Sequence, residues 1–228
     1  MFSKFLIAAS LLAPATAFAH ITVGSGPAPA GKAQKITVNV NHGCNTSTED
    51  TVKIEVEIPA GFTSVRAMPS DFGAVTVTKV GTTVTKLAWT KVDHLDFDDA
   101  YYEITFKATV PNTPYTKVPI KITQTCISAG GAPTVVHWDN SDPAEPAPNL
   151  VIVPPKLNAT GWNKFVVPAN TTVAPTDFGA YFGDALIVWK GTAAFSSNPN
   201  TAAQITSTAG VTALTAGLAA GDEIWVRY

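Results

Sequence analysis

His20 has the richest chemistry in this chain, because it directly follows Ala17-Phe18-Ala19, the A-x-A pattern at which exported precursors are trimmed. Cleavage after Ala19 frees the α-amine of His20 beside its own imidazole. The amine nitrogen and Nδ1 then close a six-membered chelate ring on a metal ion. Such a pair suits copper(II), which favours nitrogen donors in tetragonal geometry and heads the divalent affinity series. An α-amine, with an ordinary pKa of about 7.7 to 8.0, yields its proton to a metal near neutral pH at small cost. The bland alternative is that some residue must follow every cleavage site. With only 4 His in 228 residues, chance placement is a poor explanation, but a site needs further ligands.

Cys44 and Cys126 are the only cysteines. In an oxidising compartment an even pair reads first as a disulfide, which closes a long loop and contributes on the order of 4 kcal/mol through the unfolded state. The competing reading is a soft-metal thiolate at His42-Gly43-Cys44. Asp93, His94, Asp96, Asp98 and Asp99 crowd into "DHLDFDDAYY" but lack the ligand spacing and turn glycine of a calcium loop, so they read as a solvated acidic turn. No nucleophile elbow, P-loop or dinucleotide glycine motif occurs. Asn45, Asn158 and Asn170 begin N-x-S/T sequons, which matter only in a glycosylating host.

The segment that must deliver His20 is residues 1–19, with Lys4, an apolar run from Phe5 to Leu12 and small residues before the cut. That is a secretory signal peptide, too short to act as a stop-transfer helix, and no later stretch offers about 20 uninterrupted apolar residues. A periplasmic or secreted protein without a membrane anchor is expected. Loss of Lys4 changes the balance from 15 to 14 basic residues against 17 acidic, a net −3. Nothing in that balance favours nucleic acid.

The elements that must position a site are strands. Charged residues make up 14% of the chain, helices of useful length are not evident, and apolar–polar alternation recurs between Gly and Pro turns. It marks residues 35–40, 52–58, 75–80, 84–89, 101–110, 118–125 and 135–138 as strands, the pattern of an immunoglobulin-like antiparallel β-sandwich. Along 101–110, Tyr102, Ile104, Phe106, Ala108 and Val110 form the apolar set, which turns Glu103 to the opposite face. Its neutral interpretation is a solvated carboxylate. The prolines from 143 to 155 imply extended backbone in which regular pairing is difficult, and a domain boundary is placed near Lys156. Residues 156–228 then form a second, small β domain, with strands at 164–167, 185–189, 203–207 and 223–228. It holds no His or Cys. Its Trp162, Trp189 and Trp225 suggest a carbohydrate-stacking face, although strand tryptophans are more often core.

Taken together, "HITV", "HGCNTSTEDTVKIEVEIPAGF", "YYEITFKATVP", "QTC" and "VVHWDN" before "PAPNLVIV" resemble the YcnI-like family of exported copper-binding β-sandwich domains. The resemblance runs from His20 to about Pro154 and leaves the last seventy or so residues uncovered. It implies a copper(II) site built as a single-histidine brace: amine and imidazole from His20, oxygen from Glu103, and Trp138 lying close by. The adjacent His137 should point the other way along its strand. Two departures stand out. Asp71-Phe72-Gly73 replaces a Gly-Trp found in many relatives, and the C-terminal β segment stands where some carry a membrane anchor.

These readings converge on one copper(II) per mature chain in a protein of copper homeostasis. It would act as buffer, scavenger or metallochaperone rather than enzyme, with another exported copper protein as its exchange partner. A rival is a copper-dependent oxidase of the lytic polysaccharide monooxygenase type, which needs a second imidazole from His42, His94 or His137. A second rival is a metal-free adhesive or structural module.

Overall fold

The computed structural model describes residues 20–44, 48–93, 95 and 100–228. The proposed signal peptide and its cleavage point, the sequon residue Asn45, and His94, Asp96, Asp98 and Asp99 lie outside the described residues. The first part of the chain contains strands β1 (Thr22–Val23), β2 (Ala28–Pro29), β3 (Ala33–Val40), β4 (Glu49–Glu57), β5 (Thr63–Ala67), β6 (Ala74–Val80), β7 (Thr83–Thr90), β8 (Tyr102–Thr109), β9 (Thr116–Pro119), β10 (Ile122–Ser128), β11 (Thr134–Trp138) and β12 (Asn149–Val153).

Two antiparallel sheets, ordered β1-β3-β8-β5 and β11-β10-β4-β7-β6, face each other across one core. Ile36, Val38, Ile104 and Phe106 come from the first sheet and Ile54, Val56, Leu87, Trp89 and Ile122 from the second, all essentially buried in the same cluster. Alternate residues on β3 and β8 supply the apolar layer of the first sheet, so the next residues along face outward, whereas β6 at the edge of the second is exposed throughout. This is the all-β sandwich expected of an immunoglobulin-like chain. The Cys44–Cys126 disulfide is formed, with a Cα–Cα distance of 5.8 Å. That overturns the thiolate alternative at His42-Gly43-Cys44, since no free cysteine remains.

The strand expected at 118–125 is in fact two. β9 ends at Pro119, which has no N–H to donate; β9 pairs with β12, whereas β10 joins β4 and β11 in the other sheet. β12 is a further correction, because it pairs regularly between its flanking prolines, antiparallel to β9 and parallel to β2. Its period-2 alternation serves two cores. Leu150 and Ile152 enter the sandwich core, while Val153, with Val151 against it, enters a second cluster.

That second cluster gathers residues of β13 (Trp162–Val166), β14 (Thr172–Val173), α1 (Phe178–Phe182), β15 (Ile187–Lys190), β16 (Ala193–Phe195), β17 (Thr212–Ala213), β18 (Leu218–Ala219) and β19 (Glu223–Arg227), or of turns beside them. A sheet ordered β13-β19-β15-β16-β17 carries it. The strand expected at 203–207 belongs instead to a helix, α2 (Pro199–Ser207). Asn198 caps it, accepting from the Asn200 N–H at 2.9 Å, and Pro199 supplies a preset φ at the first turn. Among its residues only Ile205 is buried, so the apparent alternation there was solvent-facing helix. No helix among the described residues is long and apolar enough to cross a membrane.

Candidate metal centre

His20 lies just ahead of β1, and the register of the first sheet sets its neighbours. Thr22 pairs with Asn39, and Asn39 pairs with Glu103. The His20 main chain is held by Asn41, whose Nδ2 donates to the His20 carbonyl at 2.7 Å. Strands about 4.8 Å apart and rising about 3.3 Å per residue put the backbones of residues 20 and 103 roughly 12 Å apart. Gly24 permits the approach of β1, since a Cβ there would lie 2.4 Å from the Asn39 amide.

Glu103 is exposed, opposite in direction to buried Ile104 on the same strand. The Tyr101 hydroxyl donates to Glu103 Oε1 at 3.0 Å. Desolvation first, and then the Glu103 carboxylate, raise the Tyr101 hydroxyl above its ordinary value, so it stays a donor. On the inner side, β8 is pinned by Tyr102. Its hydroxyl donates to buried Asp50 at 2.7 Å and accepts from Lys91 at 2.7 Å, while Lys91 pairs with Asp50 at 2.5 Å. Phe72 of the departing Asp71-Phe72-Gly73 segment packs edge-on against Tyr102 at 5.0 Å. The Asp71-Phe72-Gly73 segment therefore supports the strand that carries Glu103.

Trp138 arrives from the other sheet. It is buried, its ring lies 5.8 Å from the His20 ring at 86°, and its Nε1 donates to Gln124 Oε1 at 3.0 Å. Gln124 in turn donates to the His42 carbonyl and to Thr51 Oγ1, both at 2.8 Å, so the indole cannot turn without breaking a buried network. His137 is exposed on the opposite face of β11, with Nδ1 3.3 Å from Thr123 Oγ1. His42 Nδ1 is engaged by the Gly43 carbonyl. Among the described residues, no three His, Cys, Asp or Glu side chains converge as a metal cluster. The arrangement thus offers one imidazole, one carboxylate in the same sheet and a buried indole beside the imidazole.

Asn39, Asn41 and Gln124 are contributors that sequence reasoning missed. The signal for the first two was present in "VNVNH", where alternation sets both asparagines on the polar face beside His20. Asn39 Oδ1 is a buried oxygen with no hydrogen-bond partner, one strand from both Thr22 and Glu103.

The model of a family described as a domain of unknown function, DUF1775, matches residues 20–152. The chain belongs to the DUF1775 family. YcnI-like domains carry this designation, and the matched residues begin at His20 and contain Glu103 and Trp138. None of the curated proteins matches the chain. Among solved structures, an uncharacterized protein from Nocardia farcinica, described as having an immunoglobulin-like fold, is 21% identical. It aligns with 59% of this chain and 98% of its own, with a TM-score of 0.48. A non-cellulosomal cohesin from Archaeoglobus fulgidus aligns at 10% identity over 59% of this chain and 84% of its own, with a TM-score of 0.28. The C-terminal fragment of the major pilin of Streptococcus agalactiae aligns at 12% identity over 91% and 74%, with a TM-score of 0.32.

Proposed function

We propose that this DUF1775 protein is an exported copper(II)-binding protein of copper homeostasis, taking one ion per mature chain and handing it to or from another exported copper protein. The observation that carries the reading is the His20 ring set edge-on to buried Trp138, just ahead of β1, whose sheet also carries Glu103. The donor chemistry fits the cargo. Trimming after Ala19 supplies amine and imidazole nitrogens, Glu103 supplies a carboxylate oxygen, and Asn39 Oδ1 is a buried oxygen in need of a partner. Few ligands near the surface favour exchange over permanent retention, which suits a buffer, scavenger or chaperone. An oxidase with a second imidazole gains no support from His137, which faces away across β11.

Electron paramagnetic resonance of the chain beginning at His20, with one equivalent of copper(II), tests the proposal. Two coupled nitrogens are expected, and both their hyperfine splitting and the tryptophan quenching should be lost when Ala19 remains attached. Quenching should weaken in Trp138→Phe. Undiminished copper binding by the Ala19-extended chain would sink the chelate.

A further inference from the structure

The outer face of the second five-stranded sheet carries chemistry that copper binding does not use. On β13, β19 and β15, Asn163, Ile224, Val226 and Val188 point inward and are buried. The intervening positions therefore point outward: Trp162 and Lys164, Trp225 and Arg227, and Trp189. Trp225 pairs with Lys164 on one side and Trp189 on the other, while Trp162 pairs with Arg227. Trp162 and Trp225 are 42% and 48% exposed. The preference for reading these tryptophans as core is thus overturned. Together with Gly191, the three indoles line an open cavity of about 570 Å³.

The charges around the indoles select among occupants. Lys164 is neutralised by Glu223 at 2.7 Å and lies 6.0 Å from the Trp225 ring. The Arg227 guanidinium lies 6.0 Å from the Trp162 ring and is paired with no acidic side chain among the described residues. A second copy docked through a twofold axis would bring this cationic face against itself. A flat, repeating ligand fits better. Offset indoles in adjacent strands suit ring faces made of C–H groups, and an unneutralised guanidinium takes a carboxylate through two parallel N–H donors.

We propose that Trp162, Trp189 and Trp225 form a binding platform for an acidic polysaccharide, with pyranose rings stacked on the indoles and a ring carboxylate held by Arg227. The platform lies outside the residues matched to the family and needs no metal.

The copper-free full-length mature chain is run in native gels containing polygalacturonate, or hydroxyethylcellulose as the neutral control, and titrated with galacturonate oligomers by tryptophan fluorescence. Retardation by polygalacturonate is expected. It should be roughly tenfold weaker in Trp225→Ala, several-fold weaker in Arg227→Gln, and reduced by added salt. Both substitutions lie at exposed positions, and unchanged circular dichroism would exclude misfolding. Equal retardation of wild type and Trp225→Ala, equal retardation by the neutral polymer, or a dimer that dissociates in Trp225→Ala would each overturn the proposal. Because copper is absent throughout, the result is independent of the His20 chelate.

Discussion

Trp138 and Trp225 both sit on strands, yet the first is 4% exposed and the second 48%. The difference comes from layering. β11 places Trp138 on the inner face of a sandwich, where another sheet covers it, so the indole becomes a fixed wall that holds the His20 ring in place. β19 belongs to a sheet with one covered face, so its alternate residues are left to solvent and to ligands. On the two proposals, one indole would orient a ligand-bearing side chain, whereas the other would contact a ligand directly. Truncation separates these roles most sharply. Trp138→Ala should cost about 3–5 kcal/mol by urea denaturation, through the cavity and the unbonded Gln124. Trp225→Ala should stay within about 0.5 kcal/mol of wild type. Similar losses in both would erase the distinction.

The exposed platform still needs a rigid base, and Asn163 provides it. Buried beneath Trp162, its Oδ1 accepts from the Leu157 and Asn158 N–H groups at 2.6 and 2.8 Å, and its Nδ2 donates to the Asn158 and Gly161 carbonyls at 2.9 and 3.0 Å. Asn163→Ala leaves several backbone groups without partners. It should cost about 2–3 kcal/mol and shift Trp162, visible as altered near-ultraviolet circular dichroism. An unaltered spectrum with full stability would show that the turn holds its shape without this side chain.

The same contrast explains what could be read from sequence. Period-2 alternation located most of the sandwich strands, though not the short β1 and β5, and turned Glu103 outward, because a half-buried strand leaves a simple pattern. It failed where that simplicity is lost. β12 is apolar on both sides because each side faces a different core, and flanking prolines masked it. β9 and β10 read as one strand because a switch between sheets does not interrupt alternation; Pro119 was the overlooked mark. At 203–207, Asn198-Pro199 announced a helix start that outweighs a short alternating run. For the candidate metal centre, resemblance pointed to His20, Glu103 and Trp138. Gln124 was not legible, since its hydrogen bonds with Trp138, His42 and Thr51 arise from pairing between distant strands.

Tyr115 joins the two regions. It belongs to the sandwich's own chain segment, yet its ring packs against Tyr181 and Phe182 of the second core at 5.7 and 5.9 Å. Its hydroxyl is buried without a hydrogen-bond partner, and desolvation pushes it far above its ordinary value, so it stays neutral. Tyr115→Phe removes a polar atom whose burial was never compensated and keeps the ring contacts. Stability should be unchanged or should rise by up to about 1 kcal/mol. A clear loss in thermal denaturation would mean that the hydroxyl is satisfied in solution.

The smallest expected effect concerns pH, and it should appear in one region only. Asp222 sits at the entry to β19, the strand of Trp225, where it accepts from the Ala219 N–H at 2.7 Å and pairs with Lys190. The backbone hydrogen bond first, and then Lys190, hold its carboxyl below the ordinary value of 3.8. A carboxylate whose folded-state pKa is depressed adds stability that is fully present above its unfolded value and is lost as pH falls through the folded one. Asp222→Asn keeps an acceptor for Ala219 but discards the charge. The wild-type advantage over Asp222→Asn should therefore be constant near neutrality and shrink to nothing through the acidic carboxylate range. Trp225 amide exchange, relative to its intrinsic rate at each pH, should quicken over that range while Trp138 amide exchange does not. Equal acceleration at both indoles would mean that acid loosens the molecule as a whole, and would remove Asp222 as the local anchor of the exposed face.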